Sequence, residues 1–91
     1  MRPWTKSKRK VNHAEIEYVR QRDGYCIAGL ELKDGCMGAM HVHHIKTRGS
    51  GGDDVRSNLI YLCAKHHDQA HRGFITKQQL FNWLEERYGS Q

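Results

Sequence analysis

Residues 63–71 read CAKHHDQAH, one cysteine and three histidines within nine positions. The other residues of the stretch favour helix. On a helix, His67 and His71 lie four apart and stack on one face, a spacing from which two imidazoles can reach one ion. His66 is turned from His67 by about 100°. It lies three residues after Cys63, on that residue's side of the helix. The segment can therefore serve two ions from two faces. A chain of 91 residues buries a modest fraction of its surface and often depends on a metal staple. This segment thus constrains the fold more than any apolar run does.

The chain has three cysteines, Cys26, Cys36 and Cys63. An odd count without a secretory signal argues against a disulfide framework and for metal binding or plain burial. Cys26 and Cys36 can join Cys63 and His66 in a closed, four-coordinate structural zinc site. Such a site ties the loop before the first strand to the helix after the second, and supplies much of the folding free energy. His67 and His71 need a third ligand, and His41, His43 and His44 are all candidates. Three imidazoles with open positions form the arrangement of a working metal, where water or a substrate oxygen completes the shell. Taken singly, a helix histidine is a solvated surface residue and a lone cysteine a small buried hydrophobe. Six of the seven histidines lie between 41 and 71, and it is the whole set that points to metal. His13 stands apart as an ordinary surface residue.

The fold class expected is α+β. Asn12 can cap a first helix, with Glu15 reaching back from the third helical position. Ile16, Val19 and Tyr18 supply its apolar stripe, and Asp23-Gly24 ends it. Residues 25–38 read as a loop with a turn at Asp34-Gly35. Residues 39–45, AMHVHHI, alternate as a strand does. A glycine-rich charged loop follows over 46–57, and Asn58 opens a second strand, LIYL. A helix runs from about Ala64 to His71 or Arg72, stopped by Gly73. Thr76 with Gln79 makes a capping box for a last helix, whose packing face is Leu80, Phe81, Trp83, Leu84 and Tyr88. The central unit, about residues 39–73, is strand, loop, strand, helix, braced by helices on either side. Residues 12–91 form a single domain.

The net charge is +5, and its distribution matters more than its size. Five of the fifteen basic residues, Arg2, Lys6, Lys8, Arg9 and Lys10, lie in residues 1–11, and the other ten match ten acidic residues. The excess is a basic, flexible N-terminal arm. It can bind a polyanion by releasing counterions, with Trp4 stacking on a base or sugar; the competing reading is a solubilising tail. The segment MRPWTKSKRK has no apolar core behind it, and the longest apolar run, 59–64, is too short to span a bilayer. A soluble, cytoplasmic protein without membrane contact is expected.

HVHHI, a glycine-containing loop and SNLIYLCAKHHDQAH together resemble the HNH endonucleases, whose core is the ββα-metal motif. The resemblance covers about residues 24–73, and the short basic chain is similar to phage or mobile-element members. It implies that His43 is the first metal ligand and His44 the general base. It implies that Asn58 steadies the loop and the base, and that His67 and His71 are the remaining ligands of the working ion. Cys63 and His66 fall where many members carry a zinc-binding C-x2-C. The chain departs from that pattern: its first cysteine pair is Cys26 and Cys36, with nine residues between them, and its second is C-x2-H.

The expected activity is metal-dependent hydrolysis of DNA phosphodiesters, by nicking or cleavage, with low intrinsic sequence preference. The cofactors are one catalytic divalent ion (Mg, Mn, Ni or Zn) and one structural Zn. Imidazole, whose unperturbed pKa lies near neutrality, suits the task of base. In a regular strand His43 and His44 point to opposite faces, so the strand should end or twist at His44. His41 shares a face with His43 as a substitute ligand or phosphate contact. Lys46, Arg48, Arg56 and Arg72 are candidates for phosphate contacts. No base-reading helix or dimerisation zipper is visible, so a monomer is expected, targeted by a partner such as phage packaging machinery in the host cytoplasm. Two other readings compete: a zinc-stapled nucleic-acid-binding module without catalysis, and a metal-binding adaptor that docks through its C-terminal helix.

Overall fold

A computed structural model of the protein describes residues 11–89. The basic arm residues Arg2, Lys6, Lys8, Arg9 and Lys10, together with Trp4, lie outside the described residues. Helix α1 spans His13–Asp23. The Asn12 side chain accepts from the Glu15 backbone N–H at 3.2 Å, and Gly24 ends the helix with φ 69°. The sequence led us to expect Glu15 to reach back to the cap, and it does not; the Asn12 N–H donates to Asp54 instead. The Glu15 carboxylate accepts from the Arg56 backbone N–H at 2.8 Å and from the guanidinium at 3.2 and 2.7 Å. A charge-assisted, two-pronged pair is stronger than a bond to one neutral N–H. Val19 is buried, whereas Tyr18 is exposed on one side and covered by the Arg56 guanidinium, 3.7 Å from its ring centre, on the other.

Residues 25–38 are not all loop. A short helix α2 spans Ile27–Leu32, capped by the Cys26 thiol, which accepts from the Gly29 N–H. Ile27 and Ala28 are fully buried. Burying the Ile27 side chain stabilises by about 1.5–3 kcal/mol, enough to hold one turn that propensity alone would not.

Strands β1, Met40–His44, and β2, Leu59–Cys63, pair antiparallel, with Met40 opposite Cys63 and His44 opposite Leu59. The connection contains 3-10 turns at Arg48–Ser50 and Arg56–Asn58. Asn58 closes the second turn, and β2 begins one residue later. Helix α3, Ala64–His71, leaves β2 directly at Cys63. Helix α4, Lys77–Tyr88, starts at the expected capping box of Thr76 and Gln79. Leu80 and Leu84 are buried and Trp83 and Tyr88 half-buried, but Phe81 is exposed and leaves the predicted packing face one residue short.

β2 is the structural centre, in contact with α1, α2 and α3 as well as β1. Ile60 and Leu62 join Ile27, Ile45, Ile75, Leu80 and Leu84 in one core that includes Cys26 and Cys63. The free edge of β2 is satisfied by α1. Arg22 donates to the carbonyls of Arg56 at 2.9 Å and Leu59 at 2.8 Å, and Asp23 accepts the Tyr61 N–H at 2.9 Å. The Tyr88 hydroxyl donates to Asp23 at 2.7 Å, which brings α4 into the same staple. Among the described residues, no helix is long and apolar enough to cross a membrane.

Candidate metal centres and active site

The turn from β2 into α3 places Cys63 and His66 on one side of the chain, and α2 delivers Cys26 from its N-terminus. The ligand atoms of Cys26, Cys36, Cys63 and His66 all lie within 4.8 Å of one another. His66 Nδ1 is 3.3 Å from the Cys26 sulfur, 3.2 Å from Cys63 and 3.9 Å from Cys36. A tetrahedral zinc, with bonds of about 2.3 Å to sulfur and 2.0 Å to nitrogen, separates the two donor types by about 3.5 Å. The donor set and its spacing therefore fit zinc. His66 Nε2 donates to Asp34 Oδ1 at 2.8 Å, which leaves Nδ1 unprotonated and aimed at the sulfurs. Lys65 holds that turn, donating to the Asp34 and Gly35 carbonyls. Gly29 is required by close approach: a Cβ there would run into the Cys36 sulfur. Burial pushes the Cys26 thiol up to about 12. Burial acts the same way on Cys63, but the His66 and Met37 N–H groups outweigh it and bring that thiol down to about 6.

A second face of α3, about 100° round from His66, carries the second cluster. Ligand atoms of His43, His67 and His71 also lie within 4.8 Å of one another. His67 Nε2 and His71 Nε2 face each other at 3.2 Å, close to the separation of two nitrogens on one ion with bonds of about 2.0 Å. The rings meet edge to face, His43 lying 5.0 Å from His67 and 5.2 Å from His71. This donor set fits a divalent ion with open positions. Burial, followed by the charges of His67, His71, His44 and Lys77, lowers the pKa of His43 from 6.5 to about 4. The ring is thus neutral and able to ligate well below neutral pH. His41, on the same side of β1, is exposed and stacks on His67 at 4.9 Å; it packs against a ring of the cluster without belonging to it.

His44 is the last residue of β1 and turns toward the loop. Its Nε2 lies 2.7 Å from Asp54 Oδ1. Asn58, buried, organises the loop itself: Oδ1 accepts from the Lys46 N–H at 2.8 Å, and Nδ2 donates to the carbonyls of Lys46 and Asp53 at 3.0 Å each. Gly52 packs so tightly here that a Cβ would collide with the Lys46 carbonyl. Asn58 therefore acts on the segment that follows His44, while the side chain touching His44 is Asp54.

Strand, loop, strand and helix thus carry a histidine pair, a loop asparagine and a helical histidine pair in that order. The profile of the HNH endonuclease family matches residues 24–73. The chain belongs to the HNH endonuclease family. Searches of curated proteins and of solved structures return no match. Membership points to nuclease chemistry on a nucleic acid, a class that generally uses divalent metals.

Within this HNH domain the loop cations are variously engaged. Arg48 is bound to Asp54, Arg56 to Glu15 and Arg72 to Asp68, whereas Lys46 is exposed. Three residues of the HNH site escaped sequence reasoning. Asp34 and Asp54 sit in polar loops, where aspartate reads as a turn former. Lys77, at the head of α4, comes near His43 only through the fold. The sole signal for the carboxylates is a general one: an imidazole that must present one nitrogen needs a partner on the other.

Proposed function

We propose that the protein is a metal-dependent endonuclease that hydrolyses DNA phosphodiesters with low intrinsic sequence preference. The observation that carries this reading is the convergence of His43, His67 and His71 beside a separately anchored His44. In this role His43, His67 and His71 would hold a divalent ion, which when bound polarises the phosphoryl oxygen and stabilises charge on the departing 3′ oxygen. His44 removes a proton from the attacking water. The water oxygen bonds to phosphorus, the bond from phosphorus to the 3′ oxygen breaks, and solvent supplies the proton that the leaving oxygen takes up. Asn58 keeps the loop closed so that His44 keeps its aim. Lys46, exposed beside the base, is suited to a backbone phosphate. The arm residues add positive charge for the same duplex, and Arg48, Arg56 and Arg72 would contribute as donors from within their ion pairs. The Cys26, Cys36, Cys63 and His66 cluster would hold the structural zinc.

The test is supercoiled plasmid incubated with the zinc-loaded protein and Mg²⁺, Mn²⁺, Ni²⁺ or Zn²⁺ in turn. Nicked or linear product is expected with at least one ion and not with chelator. His44→Ala should lower the rate by about 100-fold or more. Plasmid that is retarded in a gel but uncut under every condition would instead favour a non-catalytic binding module.

A further inference from the structure

We propose that Asp54 is the positioning residue of the base: it accepts the Nε2 proton of His44 and so leaves Nδ1 as the nitrogen that receives the proton of water. This rests on the nuclease reading and deepens it. The contact is 2.7 Å, and Asp54 is 5 % exposed. Three further donors fix the carboxylate. Arg48 Nε donates to Oδ1 at 3.0 Å, Arg48 Nη2 to Oδ2 at 2.7 Å, and the Asn12 backbone N–H to Oδ2 at 2.9 Å. Held by both oxygens, the group cannot rotate away from the imidazole.

The protonation pattern follows from the donors. Burial pushes the Asp54 carboxyl up, but the hydrogen bonds from Arg48, Asn12 and His44 outweigh it and hold the group well below the usual carboxylate range. An ionised carboxylate only accepts, so the nitrogen facing it must carry hydrogen. In the neutral ring the lone pair then sits on Nδ1. When Nδ1 takes the water proton, the imidazolium formed lies against a fixed negative charge.

A purely structural ion pair is the competing account, and Arg48 argues against it. Its guanidinium already grips both oxygens of Asp54, so the buried charge is compensated without His44. The histidine gains orientation from the contact, whereas the aspartate already has the larger contributions of Arg48 and Asn12. His44 keeps a side chain 21 % exposed, so the contact with Asp54 does not seal the ring from solvent.

The experiment is NMR of the ring protons in the full-length, zinc-loaded protein, with single-turnover kinetics alongside. Wild type should show a downfield, exchange-protected proton on His44 Nε2, assigned by its loss in His44→Gln. Asp54→Asn presents an amide, which can offer N–H to Nε2 and reverse the tautomer. It should lose that proton and lower kcat by about 100- to 10,000-fold with KM changed by less than about threefold. A wild-type ring protonated on Nδ1 overturns the proposal, as does a folded Asp54→Asn with unchanged kcat. If Asp54→Asn does not fold, the wild-type ring proton decides alone. Wild type that cuts nothing overturns the nuclease reading and this inference together. Active wild type with an Nδ1 proton overturns only this inference.

Discussion

His66 and His67 are neighbours in the chain, yet their rings belong to different ligand clusters. Both assignments were legible in the sequence, because a helix turns about 100° per residue and the i, i+4 partner of His67 is another histidine. Their supporting carboxylates were not legible, since nothing in the local text of Asp34 or Asp54 distinguishes them from turn residues. Asp34 should matter to metal affinity. Asp34→Ala removes the acceptor of His66 Nε2–H and should weaken zinc binding by about 10- to 100-fold, measured by competition with a chromophoric chelator. His43 should make stability depend on pH. Its folded pKa, about 4, lies below its value of 6.5 when free, so the unfolded chain binds more protons in between. Stability is full above pH 6.5 and falls as pH drops toward 4. At about 1.4 kcal/mol per unit the loss is about 3 kcal/mol. Without added divalent ion, denaturant melts of wild type and His43→Gln should show the difference between them shift by that amount from pH 7 to pH 4.

The elements divide along similar lines. α1 and α4 announce themselves through caps, α3 through its Gly73 stop, and β1 through alternation, so their bounds follow the sequence to within a residue or so. α2 does not: it is six residues long, contains Gly29, and is capped by a thiol instead of a hydroxyl or carboxylate. Its helix exists because the core needs Ile27 and Ala28 and the cluster needs Cys26. The loop between the strands is the other element whose order is tertiary. Asn58→Ala removes three hydrogen bonds in a buried setting and should cost about 2–4 kcal/mol, read from chemical denaturation. Gly52→Ala should be at least as damaging, because the obstruction is the backbone carbonyl of Lys46, which has no rotamer to change. Both variants should lower cleavage further than they lower substrate binding, since what they disturb is the segment that follows His44.

At the scale of the whole molecule, the cysteine cluster joins α2, the segment after it, β2 and α3, while the staple of Arg22, Asp23 and Tyr88 joins α1, β2 and α4. In a domain this small a zinc held by the first of these would dominate. Removing zinc with a strong chelator should collapse far-UV helical signal and near-UV packing together, and adding zinc back should restore both. Circular dichroism during the titration checks it; a chain that keeps its signals without zinc would show that the core alone suffices. One eight-residue rod, α3, presents His66 to the sulfurs and, about 100° round, His67 to the histidine cluster. On the proposed nuclease reading, alkylation or oxidation at half-buried Cys36 would therefore lower cleavage by loosening α3, without touching His43, His44, His67 or His71, and oxidant tolerance would belong to the domain as a whole.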